Sequence, residues 1–233
     1  MCQGTAPPTG CADHYLCYKS KLTGFTAVPS VHLVDEFEDV SVAVTKARDL
    51  CTPASKNGSP VHDDTTHLVA YSFRQSTPHT RRTVGTADQF GTLFLTTTKP
   101  DTLLVPTNSD PATTPPAPDE NTINVNHYKC YKVKIASGTA KFPKGVQASV
   151  ADEFNAPPKL FDVRKPKHFC NPVSKNGEPV KDANAHLVCY QVKGVKGQPK
   201  HVRRTVFVNN QFGPETMTTI KESLLCVPSI KNP

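Results

Sequence analysis

Short runs of alternating apolar and polar residues are the main pattern along this chain. Residues 128–135 place Tyr131, Val133 and Ile135 on one side of an extended backbone, and one cysteine and two lysines on the other. Such runs, rich in β-branched and aromatic residues and bounded by Gly, Pro and Asn, predict β-strands. Similar runs occur at residues 40–44, 186–192 and 204–208. Because 22 prolines leave little room for long helices, we expect an all-β protein.

The chain contains one module twice, because motifs of the first half return in the second half in the same order. The matched motifs are His14–Lys19 with His127–Lys132, Asp35–Phe37 with Asp152–Phe154, Cys51–Gly58 with Cys170–Gly177, His67–Tyr71 with His186–Tyr190, Arg81–Val84 with Arg203–Val206, Gln89–Gly91 with Gln211–Gly213, and Val105-Pro106 with Val227-Pro228. We therefore expect an N-terminal β-domain at residues 1–106 (repeat 1, with a short N-terminal extension) and a basic C-terminal β-domain at residues 125–233 (repeat 2). The Pro- and Thr-rich residues 107–124 predict an extended linker between them.

Each repeat has room for about seven or eight short strands, which is typical of a sandwich or a small barrel. Asn57-Gly58 and Asn176-Gly177 predict tight turns, because both residue types tolerate positive φ. The predicted fold is two tandem homologous domains, each a disulfide-stapled β-sandwich or small β-barrel. A domain of this size without tryptophan buries a small core, so we expect the disulfides to contribute needed stability.

The cysteines differ between the repeats in a way that predicts their pairing. Repeat 2 has four cysteines, and repeat 1 keeps the first two of them but has Ala70 and Leu104 at the other two positions. Cysteines lost together are expected to be partners, because one orphaned thiol is a liability in an oxidising compartment. The predicted disulfides are Cys2–Cys11, Cys17–Cys51, Cys130–Cys170 and Cys189–Cys226. Reduced, buried thiols are the alternative, and the absence of C-x-x-C spacing disfavours a zinc site.

Four predicted disulfides indicate an extracellular or cell-surface protein. Met1 is followed by neither a basic nor an apolar segment, so we expect the export signal to be cleaved or left out of this sequence. No stretch approaches about 18 apolar residues, so no membrane span is expected. A lipidated Cys2 is the alternative, although no signal peptide precedes it.

Charge is distributed unevenly along the chain. Residues 1–106 hold 9 Lys and Arg against 10 Asp and Glu, whereas residues 125–233 hold 18 against 7. The basic second half favours an anionic partner such as a polysaccharide, the cell envelope or the acidic part of another copy. The alternative is that the lysines only keep the domain soluble.

Four histidines recur at matched positions and are the candidate metal ligands: His14, His67, His127 and His186. A metal site would need three or four such ligands to converge. Hydrogen bonds between strand-end imidazoles and backbone carbonyls explain the recurrence equally well, so we expect no metal and no cofactor.

Arginines and tyrosines are the candidate interaction residues. The paired arginines Arg81, Arg82, Arg203 and Arg204 would point to opposite faces of a strand, so that one of each pair could meet a carboxylate or a sulfate. The alternative is that these charges prevent an exposed edge strand from pairing with another chain. Without tryptophan, a sugar would have to stack on tyrosines such as Tyr128, Tyr131 or Tyr190.

Catalytic motifs are missing from the sequence. It contains no G-x-S-x-G, P-loop, G-x-G-x-x-G or H-E-x-x-H motif, and its adjacent acid pairs lack the arrangement of a glycosidase. We therefore expect a protein that is not an enzyme. The expected export and the lack of an aromatic-basic RNA-binding motif argue against a nucleic-acid partner.

The repeated string H-Y-x-C-Y-K, C-N-P-V-S-K-N-G, H-L-V-C-Y, N-Q-F-G and L-C-V-P-S resembles an uncharacterised cysteine-containing module found in tandem in secreted proteins of environmental bacteria. The resemblance spans residues 125–230 and, with two cysteines missing, residues 12–106. It implies a bacterial, exported, non-catalytic protein and identifies no active-site residues.

These observations lead to two functional hypotheses. The first is an extracellular structural or adhesive protein that associates with itself, as the repeating subunit of a cell-surface filament. Its basis is the duplication, the linker, the charge asymmetry and the unpaired edges that open sheets would leave. The second is a secreted module that binds a glycan or another anionic polymer through the basic C-terminal domain.

Overall fold

The computed structural model describes residues 12–22 and 24–232, and the predicted Cys2–Cys11 disulfide lies outside them. The described residues form β-strands joined by turns and loops, which confirms the all-β prediction. The strands are β1 (His14–Leu22), β2 (Val28–Val34), β3 (Asp39–Lys56), β4 (Thr66–Gln75), β5 (Thr83–Asp88), β6 (Gly91–Asp110), β7 (His127–Ile135), β8 (Gln147–Asp152), β9 (Asn155–Lys175), β10 (His186–Gly194), β11 (Thr205–Asn210) and β12 (Gly213–Asn232). Strands β1 to β6 of repeat 1 correspond in order to strands β7 to β12 of repeat 2.

Eight of the strands close into a ring. Strands β1, β3, β4 and β6 are neighbours in that order, and β7, β9, β10 and β12 continue the sequence. The two halves join where β6 pairs with β7 and where β12 pairs with β1, with Cys226 opposite Tyr15. Every one of these pairings is antiparallel, so each ring strand has a neighbour on both sides.

The ring differs from the prediction of two separate domains. Repeat 1 and repeat 2 each supply four strands to one shared ring, and neither repeat forms a closed sheet by itself. The physical reason is that each half-ring would leave two open edges, and pairing with the other half satisfies the backbone groups at all four edges. The predicted linker is also shorter in the structure, because residues 107–110 belong to β6.

The short outer strands strengthen the connection between the repeats. Strand β2 pairs with β3 of its own repeat and with the end of β9, and β8 pairs with β9 and with the end of β3. Strands β5 and β11 are shared in the same way between β6 and β12. Each repeat therefore completes the sheet of the other.

The repeated Asp-Glu-Phe motif explains part of this exchange. The Tyr131 hydroxyl donates to Asp35 Oδ2 at 2.6 Å, and the Tyr18 hydroxyl donates to Asp152 Oδ2 at 2.5 Å. The phenylalanine of each motif packs edge-on against the same tyrosine, with ring centroids 5.3 and 5.2 Å apart. Both copies of the motif therefore contact the opposite repeat rather than their own.

The Asn-Gly turns form as predicted. Asn57 and Asn176 both have φ of 53°, and the glycine that follows each of them is also at positive φ. Asn57 receives a hydrogen bond from the Ser149 backbone at 2.9 Å, and Asn176 receives one from the His32 backbone at 2.9 Å. Both turns therefore bind a strand of the other repeat.

The interior of the ring is layered, because alternate residues of each strand point inward. One layer takes one residue from each of the eight strands and forms four cross-strand pairs. Three pairs are the predicted disulfides, and the fourth is Ala70 opposite Leu104. The layer consists of Cys17–Cys51, Ala70/Leu104, Cys130–Cys170 and Cys189–Cys226. On the chain-entropy model each disulfide contributes about 4 kcal/mol.

Two further apolar clusters lie outside the ring, under the outer strands. Each contains side chains from both repeats: Tyr18 and Phe161 belong to one cluster, and Leu50 and Met217 belong to the other. No helix in the described part of the chain has the length and apolar character of a membrane span.

Candidate functional site

A cavity of about 440 Å³ opens at one end of the ring. Its floor is the cysteine layer: five of the six bonded cysteines line it, together with Ala70 and Leu104. The floor is therefore apolar and rich in sulfur. A cavity of this size is within the range of small-ligand sites.

The wall and rim of this cavity are strongly basic. The five Lys and Arg side chains that line it are Lys19, Arg48, Lys132, Lys134 and Lys167. Two come from repeat 1 and three from repeat 2. Lys19 and Lys132 occupy the same position in the two copies of the H-Y-x-C-Y-K motif. Each lies two residues after a floor cysteine and hence on the same face of its strand.

Asp101 neutralises part of this charge. Its carboxylate lies 2.9 Å from Lys132, 3.2 Å from His168 and 3.7 Å from Arg48. Burial opposes ionisation of Asp101, but His168 and Lys132 outweigh it and hold the pKa of the carboxyl below its usual range. Lys132 and Arg48 are therefore already paired at neutral pH.

The other three cations are free to meet a ligand. Lys19, Lys134 and Lys167 form no ion pair with any residue that the structure describes. Among the described residues, Asp49 is the only acidic side chain that lines the cavity, and it is partly buried. Burial raises the pKa of its carboxyl, and the charges of Arg48 and Lys19 oppose this increase. The cavity therefore has an excess of positive charge.

A basic groove continues from the cavity across repeat 2. Gln191 lines both, and the groove adds four cations: Lys141, Lys144, Arg164 and Lys165. One acid, Asp162, lies in the groove and accepts a hydrogen bond from Gln147 at 3.0 Å. Cavity and groove thus present nine Lys and Arg against Asp49, Asp101 and Asp162, in a chain whose formal net charge is +7.

The predicted arginines lie elsewhere. All four are exposed, but they line neither the cavity nor the groove. The prediction that these arginines lie within strands was wrong. Strands β5 and β11 begin at Thr83 and Thr205, immediately after each arginine pair. Arg82 lies over the Phe37 ring at 5.3 Å and donates to the Phe37 carbonyl at 3.3 Å.

The tyrosines predicted to stack on sugars are buried, which corrects that prediction. Tyr128, Tyr131 and Tyr190 are 1%, 0% and 1% exposed. Tyr128 points into the ring, and the Tyr190 hydroxyl donates to Asp88 at 2.6 Å. They are core residues because each occupies an apolar position of a ring strand.

The four predicted histidines do not converge on one site. His14 Nε2 forms a hydrogen bond with the side-chain amide oxygen of Gln89 at 3.2 Å, and His67 contacts a Glu153 carboxylate oxygen at 2.8 Å. His186 stacks on Phe169 with ring centroids 5.4 Å apart. Burial lowers the pKa of His14 and of His186 to about 4, so both imidazoles are neutral at pH 7. His127 lies between two glutamates, away from the other three.

The sequence contained part of the signal for the cavity. The alternation at residues 128–135 placed Cys130, Lys132 and Lys134 on one side, and in the structure that side lines the cavity. Nothing in the local pattern linked them to Arg48 or Lys19 of repeat 1.

Comparison with known proteins identified one family. Residues 67–228 match the model of a family described as Repeat of unknown function (DUF7450). The matched segment extends from β4 to β12 and includes parts of both repeats. No curated protein and no solved structure matched the chain.

Proposed function

This chain belongs to the DUF7450 repeat family, and we propose that it binds an anionic polymer outside the cytoplasm without catalysing a reaction. The observation that carries the proposal is the cavity with an apolar disulfide floor and a rim of unpaired lysines. The three disulfides are compatible with an extracellular protein.

The cavity suits a ligand with one anionic group and an apolar face. Lys19, Lys134 and Lys167 would contact a carboxylate or a sulfate, and the sulfur atoms of the floor would pack against the apolar face of a sugar ring. A concave site with walls of low dielectric constant focuses the positive potential and attracts anions from solution.

The groove favours a polymer over a small anion. Its four cations continue the basic surface beyond the cavity, so successive charges of a chain would find partners along repeat 2. Uronic-acid and sulfated polysaccharides have this regular spacing of anionic groups, and we propose them as the ligand class.

The filament hypothesis has less support than it had from the sequence. One of its four grounds was the unpaired edges of open sheets, and each of the eight ring strands is paired on both sides. Self-association stays a prediction, which negative-stain electron microscopy of the oxidised protein across a salt series would test.

The binding proposal is tested by calorimetry with alginate and heparin oligosaccharides, with dextran as the neutral control. A triple variant, Lys19→Gln, Lys134→Gln and Lys167→Gln, removes the three unpaired cations of the cavity without breaking an ion pair between described residues. Each contact contributes up to about 1 kcal/mol, so we expect a loss of up to roughly 100-fold in affinity.

A charge-matched control distinguishes a loss of affinity caused by the cavity from one caused by the lower net charge. Lys196→Gln, Lys200→Gln and Arg203→Gln remove the same charge from exposed positions outside the cavity and the groove. We expect this control to bind nearly as well as the unaltered protein. Equal losses in the two triple variants would mean that only net charge matters, and an absence of binding to every anionic oligosaccharide would refute the proposal.

A further inference from the structure

Glu120, His127 and Glu178 lie together at the end of the ring opposite the cavity. Glu120 belongs to the connection between β6 and β7, His127 begins β7, and Glu178 follows the Asn176-Gly177 turn. One ligand atom from each lies within 4.8 Å of the other two. Glu120 Oε1 is 3.9 Å from His127 Nε2, and Glu178 Oε2 is 3.6 Å from His127 Nδ1.

Three buried atoms of this cluster have no hydrogen-bond partner among the described residues: Glu120 Oε1, His127 Nε2 and Glu178 Oε2. The His127 side chain is only 5% exposed. Buried polar atoms are nearly always satisfied, so unsatisfied atoms on three side chains whose ligand atoms lie within 4.8 Å of one another point to a shared ligand.

Repeat 1 provides an internal comparison, because its matching histidine is satisfied. His14 bonds Gln89 at 3.2 Å, and Ser59 occupies the position that Glu178 has in repeat 2. In repeat 2 the glutamine that matches Gln89 is Gln211, and its Nε2 donates to Glu178 Oε1 at 2.8 Å instead. Gln211 therefore bonds Glu178 and lies beside His127 without the close contact that Gln89 makes with His14.

The charges around the cluster balance its carboxylates only in part. His127 Nε2 has no hydrogen-bond partner among the described residues and can offer its lone pair to a metal. Lys175 lies 3.0 Å from Glu178 Oε1 and balances one carboxylate, whereas Lys181 contacts the Glu120 carbonyl.

We infer that Glu120, His127 and Glu178 bind one divalent transition-metal ion, for which Zn²⁺ is the appropriate probe. One imidazole nitrogen and two carboxylate oxygens form a donor set of the kind that zinc accepts, and a water molecule would complete a tetrahedron. Zinc binds a single imidazole nitrogen and holds its ligand atoms roughly 3.3 Å apart, so the Glu178 carboxylate, which now lies nearest to Nδ1, would have to rotate towards Nε2, which Glu120 faces. The ion would link the connection between the repeats to β7 and to the turn after β9.

Calorimetric titration of the untagged, chelator-treated protein with Zn²⁺ tests the site. We expect one equivalent of zinc to bind to the unaltered protein. Glu178→Ser gives repeat 2 the residue that repeat 1 has, and should weaken zinc binding at least 10-fold. His14→Gln is the matched control, because it alters the equivalent histidine of repeat 1, and it should bind zinc as the unaltered protein does.

Spectroscopy distinguishes zinc bound at this site from zinc bound adventitiously elsewhere on the protein. In the zinc-loaded protein, X-ray absorption should show only nitrogen and oxygen ligands at about 2.0–2.2 Å, with an imidazole signature that Glu178→Ser weakens. No heat at about 1 mM zinc, a sulfur ligand shell, or undiminished binding by a folded Glu178→Ser variant would each overturn the inference. Because the site lies opposite the cavity, failure here would leave the polymer-binding proposal intact.

Discussion

A further disulfide can be introduced into the cysteine layer at the place where repeat 1 lacks one. Ala70 and Leu104 face each other across β4 and β6 in the register that Cys189 and Cys226 have across β10 and β12. The double variant Ala70→Cys/Leu104→Cys would therefore restore the symmetry of the cysteine layer. We expect the bond to form spontaneously on oxidative folding.

The stabilisation follows from loop length and from lost apolar volume. The new bond would close a loop as long as that of Cys17–Cys51, which spans 34 residues. The chain-entropy model gives about 3.8 kcal/mol for such a loop. Replacing Leu104, which is 3% exposed, by cysteine removes about two buried methylene equivalents, or roughly 1.6 kcal/mol. The net gain of about 2 kcal/mol corresponds to an increase of roughly 4–8 °C in Tm for a chain of this size.

Thiol titration and calorimetry provide the test. After denaturation the double variant should show no more free thiols than the unaltered protein, and its Tm should be higher. Ala70→Cys/Leu103→Cys is the control, because Leu103 lies one position out of register and faces the opposite side of the sheet. Two free thiols in the in-register variant, or equally efficient bonding in both variants, would refute the layered arrangement of the ring.

Two further predictions follow from the shared ring and from the buried histidines. Repeat 2 expressed alone as residues 125–233 should not form a stable monomer, because half of the ring leaves two open edges. A fragment that is monomeric in ultracentrifugation and unfolds in a cooperative thermal transition would contradict the shared ring. His14 stays neutral when folded, since burial and then Lys56 lower the pKa to about 4, whereas the unfolded chain takes up a proton below about 6.5. Its contribution to stability is therefore present above pH 6.5 and is lost as the pH falls, by about 2 kcal/mol between pH 7 and pH 5. Urea unfolding of His14→Gln should show a correspondingly weaker decrease over this range, and an unchanged pH dependence would contradict the burial argument.

The strands that face the ring interior on one side were predictable from the sequence. Residues 128–135 and 186–192 are rich in β-branched and aromatic residues and coincide with β7 and β10, since one face of each meets the ring interior and the other an outer apolar cluster. The long strands β3, β6, β9 and β12 were only partly predictable. Each changes partners along its length and contains a proline, such as Pro53 or Pro106, that locally resembles a strand end.

The shared ring was not predictable, because the repeats are nearly equivalent. The Asp-Glu-Phe motif and its tyrosine partner occur in both copies, so contact within a repeat and contact between repeats look identical in the sequence. The choice depends on which strand edges meet, namely β6 with β7 and β12 with β1. The cavity depends on the same choice, because Arg48 and Lys167 come together only when both half-rings join.

The pairing of β1 with β12 also has a consequence for the order of folding. Leu22 and Met217 are neighbours in the sheet although nearly the whole chain separates them. During synthesis, which starts at the N-terminus, β1 can pair with β3 early but lacks its other neighbour until β12 has been made. Such distant contacts slow folding, because the closure entropy must be overcome before the pairing is gained. The cysteines of β1 and β3 can oxidise early, but the cavity takes shape only after β12 has been made.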